Sequence, residues 1–177
     1  FVPAHPIAGR EVAGIEHADA QLYQGRKVIL TPLAQTDATL VQKATDVWAA
    51  IGCQVLKMSP EHHDAAFAAV SHLPHVLSYA IIRGIFQQHN GPDLIALGGP
   101  GFRDFSRIAA SDPVVWRDIL TTNRDQVLLQ IRHFKDALNE FEKAIQDNEP
   151  QALEDMIRQA SDLRFNWRMG ASQNSEK

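Results

Sequence analysis

Short apolar runs alternate with an amphipathic stretch in the first third of the chain, a pattern typical of β-α-β organisation. The predicted strands are Val2–His5, Lys27–Leu30 and Gln54–Met58. Between the last two, apolar residues recur at helical spacing after a cap at Thr36 or Asp37, and Gly52 ends the helix. Such a unit normally continues a larger parallel sheet. We therefore expect residues 1–58 to end an α/β domain whose other strands precede Phe1, which would make the chain a fragment.

From Ser59 to residue 170 the apolar positions follow a helical period, and this region is predicted to be an all-helical domain. The predicted parts are a helix from Ser59-Pro60 to Asn90-Gly91 with a kink at Pro74, a Gly- and Pro-rich connection over 91–111, a helix from Asp112 to Asn148, and a helix from Gln151 to Trp167. Residues 171–177 are polar and predicted to be disordered.

The helix after Asp112 carries an apolar seam with alternating spacings of four and three residues. Its members are Val127, Ile131, Phe134, Leu138, Phe141 and Ile145. A narrow seam of this kind pairs with another helix along its length, and the following helix covers only about half of it. The seam therefore predicts a homodimer through the helical region.

Composition narrows the function classes. The 177 residues have a formal net charge of −4, which gives no electrostatic reason to expect nucleic acid or an anionic membrane as a partner. No apolar run approaches the roughly 20 residues that span a bilayer. The single Cys53 excludes an internal disulfide and favours a reducing compartment, so we expect a cytoplasmic protein.

Three groups of residues are candidates for chemistry. His5 ends a predicted strand, in a turn bounded by Pro6 and Gly9, with Glu11 six residues on; a histidine near a carboxylate can act as a general base. Arg103 and Arg107 are four apart after a Gly-rich loop and can hold a carboxylate.

The third group comprises Glu61-His62-His63-Asp64, with His72 and His75 further along the same predicted helix. His72 and His75 have a spacing that metal ligands use, although ordinary hydrogen-bonded histidines give the same pattern. The segment Gly98-Gly99-Pro100-Gly101 lacks the spacing of a phosphate-binding loop, and the chain contains no dinucleotide fingerprint.

Five motifs then occur in a characteristic order. They are His5-Pro6-Ile7-Ala8-Gly9-x-Glu11, Glu61-His62-His63-Asp64, Ser71-His72-Leu73-Pro74-His75, Gly101-Phe102-Arg103-Asp104-Phe105-Ser106-Arg107-Ile108-Ala109-Ala110-Ser111, and Asp112-Pro113-x-x-Trp116. Together they closely resemble the prephenate dehydrogenase family, including its arogenate-using relatives, over about residues 1–168.

The resemblance implies a mainly α fold: a helical dimerisation domain preceded by the last β-α-β remnant of a Rossmann-type α/β domain. It implies oxidative decarboxylation of prephenate with NAD or NADP, bound mainly by a nucleotide-binding half that this chain does not contain. His5 matches the family's catalytic base and Arg107 its substrate-binding arginine. Pocket positions are matched by His63, His75 and Glu11, and Arg103 is a further candidate for substrate binding.

Two residues depart from the family pattern. Arg10 stands where relatives have a small hydroxyl residue, and Pro100 lies in a loop that is usually free of proline. Two alternative functions stay open beside the enzyme: a helical metal-binding protein using the four histidines, and a non-catalytic dimerisation module. The choice between prephenate and arogenate, and between NAD and NADP, also stays open.

Overall fold

The structure is a computed structural model that describes residues 1–9 and 14–167. Its strands and α-helices are β1 Ala4–Pro6, β2 Lys27–Leu30, α1 Ala38–Ala50, β3 Gln54–Lys57, α2 Pro60–Phe67, α3 Leu73–Phe86, α4 Gly91–Ala96, α5 Pro100–Ser106, α6 Pro113–Thr122, α7 Arg124–Gln146 and α8 Pro150–Asn166. The mainly α fold with a small α/β part is thus confirmed. Arg10, Glu11 and the predicted tail 171–177 lie outside the described residues.

The small sheet has the order β1-β2-β3 and confirms the β-α-β unit. β2 and β3 are parallel and α1 connects them, and Val28 and Leu30 of β2 are fully buried. β1 pairs antiparallel with β2, with His5 opposite Ile29, so it does not extend the parallel part. His5 therefore lies on the edge strand of the sheet, next to β2, whose apolar residues are buried in the core.

The ends of α1 confirm the predicted cap and stop. The Asp37 carboxylate accepts hydrogen bonds from the backbone N–H of Thr39 and Leu40, at 2.7 and 3.3 Å. Gly52 follows with φ of 92°, a conformation that residues with a Cβ rarely adopt.

The helix predicted after Ser59 runs without interruption from α2 into α3, with a π-helical turn, Ala68–His72, between them. In this turn the Leu73 N–H donates to the Ala68 carbonyl, five residues back. Pro74 has no N–H to donate, so a regular α-helical ladder would lose a bond here. The widened turn is the form that the predicted kink takes.

This helical segment, Pro60–Phe86, is also long and apolar enough to cross a membrane by length and composition, with a mean hydropathy of 1.4 over its most apolar window. The finding goes against the expectation that no segment approaches that length. One such helix is weak evidence for a span, and several of its polar side chains bond to other elements of the chain. Ser78, for example, is fully buried and its hydroxyl donates to the Phe105 carbonyl at 3.3 Å.

The connection predicted over 91–111 is mostly helical, which corrects the sequence prediction. It forms α4, α5 and a 3-10 turn, Arg107–Ala110. Pro92 and Pro100 lie in the first turns of α4 and α5, where a missing N–H costs nothing because that donor has no partner in the helix. Pro100, a departure from the family pattern, therefore begins a helix.

The helix predicted from Asp112 to Asn148 is also corrected, because it is broken at Asn123 into α6 and α7. Asp112 caps α6 as expected. The Asn123 side-chain amide donates to the Asp64 carbonyl at 2.8 Å and lies 3.2 Å from His72 Nδ1. These tertiary bonds outweigh the helical periodicity of the local sequence.

The chain forms two compact units, Phe1–Gln130 and Ile131–Lys177. The first holds the sheet and α1 to α6. The second holds the rest of α7 and α8, in which Ala144 is buried while Leu138 and Ile145 of the seam are 52% and 64% exposed. This boundary differs from the division predicted at residue 58, which stays a prediction.

Candidate active site

A cavity of about 880 Å³ lies in the first unit, between the end of β1 and the helices that follow the sheet. Its lining includes His5, Ser71, His75, Arg107, Ser111 and Trp116. Three residues selected from the sequence, His5, His75 and Arg107, thus share one cavity although they are up to 102 positions apart.

His5 is joined to two side chains of α2 by a chain of hydrogen bonds. Its Nδ1 lies 2.8 Å from Nε2 of His63, and Nδ1 of His63 lies 2.9 Å from an oxygen of Asp64. The ring of Phe67 packs against both imidazoles, with centroid distances of 4.6 Å. Partial burial, and secondarily the neighbouring His63, lower the pKa of His5. A neutral imidazole at this position can accept a proton.

The imidazole of His75 is held by a ring stack and by a hydrogen bond. Its ring stacks on Trp116 with centroids 3.4 Å apart, and its Nδ1 lies 2.9 Å from the Ser71 carbonyl. A carbonyl only accepts, so Nδ1 carries the hydrogen and Nε2 is left as an acceptor. Partial burial lowers the pKa of His75, the Ser71 carbonyl opposes this, and Arg107 lowers it further.

Arg107 lines the cavity, whereas Arg103 does not. Arg107 begins the 3-10 turn and lines the cavity. The turn is held by Ser78, which bonds the Phe105 carbonyl, and by Ser111, whose hydroxyl donates to the Ile108 carbonyl at 2.7 Å. Arg103 is exposed on α5, where it pairs with Asp104 at 3.0 Å, and it does not line the cavity.

The four histidines of the metal alternative do not converge. His63 bonds to His5 and Asp64, His72 lies against Asn123, and His75 bonds to Ser71. His62 is exposed on α2. Across residues 1–9 and 14–167, no group of three or more His, Cys, Asp or Glu side chains is placed to hold a metal ion.

Sequence reasoning missed the partners that orient these groups. The contacts of Asn123 and Ser78 join residues 59 and 27 positions apart, so no local pattern reveals them. Asp64, Ser71 and Trp116 were present in the sequence motifs, but only as motif members without an assigned role.

Two family models match the chain. Residues 59–159 match "Prephenate dehydrogenase, dimerization domain", and residues 1–57 match "Prephenate dehydrogenase, nucleotide-binding domain". Among curated relatives, cyclohexadienyl dehydrogenase of Zymomonas mobilis is 35% identical over 93% of this chain and 57% of its own length. Prephenate dehydrogenase of Bacillus subtilis is 30% identical over 93% of the chain and 44% of its own length.

Solved structures resemble the fold closely. Prephenate dehydrogenase from A. aeolicus, in complex with hydroxyphenyl propionate and NAD+, has a TM-score of 0.89 at 39% identity, covering 93% of this chain and 58% of that one. Synechocystis arogenate dehydrogenase has a TM-score of 0.83 at 27% identity, covering 95% and 62%. The chain therefore spans between 44% and 62% of the length of these four relatives.

Proposed function

The chain belongs to the prephenate dehydrogenase family, and from that premise we propose that it forms the substrate-binding side of a dehydrogenase that oxidatively decarboxylates prephenate to 4-hydroxyphenylpyruvate. The observation that carries this proposal is the single cavity shared by His5, His75 and Arg107. A basic ring nitrogen, a neutral acceptor and a cation around one space suit a substrate that carries a hydroxyl and carboxylates.

His5 acts as the general base in this proposal. Its Nδ1 is bonded to His63, which leaves Nε2 for the substrate hydroxyl. Removal of that proton helps the ring carbon to release hydride, and loss of the ring carboxylate as CO2 then makes the ring aromatic. The resulting phenolate takes the proton back from His5, so the histidine ends each turnover in its starting state.

Arg107 binds a substrate carboxylate, because a guanidinium can hold both oxygens of a carboxylate at once. His75 offers Nε2 as an acceptor beside it. His63 and Glu11 are further proposed substrate-binding residues, and Arg103 is the alternative to Arg107 as the carboxylate-binding arginine. Of these, His63 contacts His5, Arg103 is on the exposed side of α5, and Glu11 lies outside the described residues.

The cofactor is NAD or NADP, which accepts the hydride when bound. The residues of this chain could bind only part of the cofactor. The chain has no G-x-G-x-x-G segment to cradle a pyrophosphate. The cavity beside His5, at about 880 Å³, is larger than prephenate alone requires, which leaves room for a nicotinamide ring.

We further propose that residues 1–58 end the nucleotide-binding domain and that residues 59–170 form the substrate-binding and dimerisation domain. The family-model matches to 1–57 and 59–159 support this division. The proposed protein is a cytoplasmic homodimer without a nucleic-acid or membrane partner. Its helix Pro60–Phe86 acts as the wall of the cavity, which Phe67, Ser71 and His75 line.

The test is a turnover assay of the chain joined to a complete nucleotide-binding half, with prephenate or arogenate and with NAD or NADP. We expect reduction of the cofactor with at least one substrate, and none from residues 1–177 alone, because these residues contain no glycine-rich pyrophosphate-binding turn. Turnover by residues 1–177 alone would contradict the proposal that the nucleotide-binding half is needed to bind the cofactor. Failure of the joined protein with both substrates would favour the non-catalytic dimerisation module.

A further inference from the structure

Asp64 lies at the far end of a hydrogen-bonded chain that ends at the ring nitrogen proposed as the base. The order is Asp64 oxygen, His63 Nδ1, His63 Nε2 and His5 Nδ1, with contacts of 2.9 and 2.8 Å. The side chains of His63 and Asp64 are 19% and 53% exposed, so the middle imidazole is the more shielded of the two and the Asp64 end is open to solvent.

The direction of hydrogen bonding in this chain follows from Asp64. An ionised carboxylate only accepts, so His63 Nδ1 must carry a hydrogen. If His63 is neutral, its Nε2 is then an acceptor, and the hydrogen between the two rings belongs to His5 Nδ1. A neutral His5 protonated at Nδ1 has its lone pair at Nε2, which is the form that a base requires.

The opposite assignment disables His5. If His63 Nε2 carries the hydrogen instead, it donates to His5 Nδ1, and a neutral His5 then has its hydrogen at Nε2. In that form Nε2 can donate but cannot take a proton from a hydroxyl. The two assignments differ by which ring nitrogen holds one hydrogen, and a group that prefers one of them controls the base.

We propose that Asp64 is a positioning residue that, through His63, holds His5 in the tautomer with Nε2 free to accept a proton. The proposal rests on the proposed function for its catalytic consequence, although the tautomer itself does not depend on activity. When His5 takes up a proton, its Nδ1–H bond to His63 strengthens, and the Asp64 carboxylate offsets part of the new charge.

A tertiary hydrogen bond fixes the backbone at Asp64. Its backbone carbonyl accepts from the Asn123 amide at 2.8 Å, which ties α2 to the break between α6 and α7. The Phe67 ring, from the same helix, packs against both imidazoles. Three titratable groups interact with this end of the site: His63 and Asp64 from α2, and His72 from the π turn.

The variant Asp64→Asn tests the proposal in the complete protein, because an amide can donate to His63 Nδ1 and so reverse both hydrogens. We expect kcat to fall about 10- to 100-fold, less than the roughly 10⁴-fold seen when a buried triad aspartate is changed, since Asp64 is half exposed. KM for the substrate should change less than threefold. Asp64→Glu should recover part of kcat.

Asp118→Asn is the matched control, because Asp118 is an exposed carboxylate paired with its neighbour Arg117 and lies outside the cavity lining. It should leave kcat unchanged. Nitrogen-15 NMR of the imidazoles gives the second readout: in the parent protein His5 should carry its hydrogen on Nδ1, and in Asp64→Asn the Nε2–H form should rise.

A His5 that is protonated at Nε2 in the parent at neutral pH would overturn the proposal, as would an Asp64→Asn kcat within twofold of the parent. If the parent itself lacks dehydrogenase activity, the proposed function fails, while the NMR measurement still decides the tautomer. Equal loss of kcat and of thermal stability in Asp64→Asn and Asp64→Glu, with an unchanged His5 tautomer, would assign Asp64 a structural role and reject the inference.

Discussion

The indole of Trp116 lies almost flat on the imidazole of His75, with 3.4 Å between ring centroids and 19° between ring planes. This stack joins α6 to α3 across the cavity. It covers one face of an imidazole whose other contact, to the Ser71 carbonyl, fixes which nitrogen is protonated. Burial by neighbours such as this ring disfavours the charged form of His75, and its pKa is lowered.

The free energy of unfolding should fall in acid because of three partly buried histidines of the first unit. Burial lowers the pKa of His5, His72 and His75 from the ordinary value of 6.5. The unfolded chain therefore binds more protons than the folded one below about pH 7, so the free energy of unfolding decreases as pH falls through about 6.5. Urea unfolding at several pH values measures this.

His75→Gln should make that decline shallower, because one of the three perturbed groups is removed. His89→Gln is the control, since His89 lies in the connection between α3 and α4, away from the cavity lining. An unfolding free energy that is constant between about pH 7.5 and 5.5 in the parent would be inconsistent with the lowered pKa values.

His5→Asn should reduce kcat by about 10²–10⁴ in the complete enzyme, which is the usual contribution of general acid–base catalysis. Asparagine keeps a polar side chain near His63 but cannot take up a proton. Substrate binding should change far less, and steady-state kinetics separates the two effects. A kcat within threefold of the parent would remove His5 from the mechanism.

Arg107→Ala should weaken substrate binding by about 2–4 kcal/mol, because a desolvated carboxylate loses its partner. Arg103→Ala is the matched comparison: the same truncation on the same segment, at a side chain that pairs with Asp104 and does not line the cavity. Its effect on KM should be small. If the effects were reversed, the carboxylate site would be assigned to Arg103.

Ser78→Ala should destabilise the first unit by about 1–3 kcal/mol, because it leaves the Phe105 carbonyl without its buried donor. Ser106→Ala is the control, as its hydroxyl makes only a 3.5 Å contact at the surface of the same segment. Urea unfolding measures the difference. Equal stabilities for the two variants would show that the Ser78 bond contributes little.

Light scattering at low micromolar concentration should give twice the 19.7 kDa chain mass. Leu138 and Ile145 of the seam are more than half exposed within one chain, which favours a partner helix over them. The double variant Phe134→Glu and Phe141→Glu should lower the mass or unfold the protein. A folded monomer of the unmutated chain would refute the homodimer.

The sequence predicted the elements whose signals are local. Asp37 with Gly52, and Ser59 with Pro60, mark helix ends by their own backbone chemistry, and the structure has both. The antiparallel direction of β1 could not be predicted, because it depends on pairing with a strand whose residues lie 22 to 26 positions further along the chain. The break at Asn123 likewise depends on bonds to Asp64 and His72, which only the folded chain brings within reach.

The sequence motifs predicted which residues form the candidate site, but not how these residues are arranged around the cavity. Motifs selected His5, His75 and Arg107, and the fold places all three on the cavity. Arg103, chosen for its spacing from Arg107, points elsewhere because four residues span the end of α5 and the start of a 3-10 turn, which does not keep α-helical phase.

The π turn at Ala68–His72 has a consequence for the angular relation of two histidines. His63 and His75 are twelve positions apart, and in a regular α-helix that separation turns the second side chain about 120° away from the first. One extra residue accommodated in the widened turn reduces the effective separation to eleven, or about 20°. Both imidazoles then project from the same side of the helix. The alignment of this pair depends on an irregularity that a helical-wheel projection of the sequence does not contain.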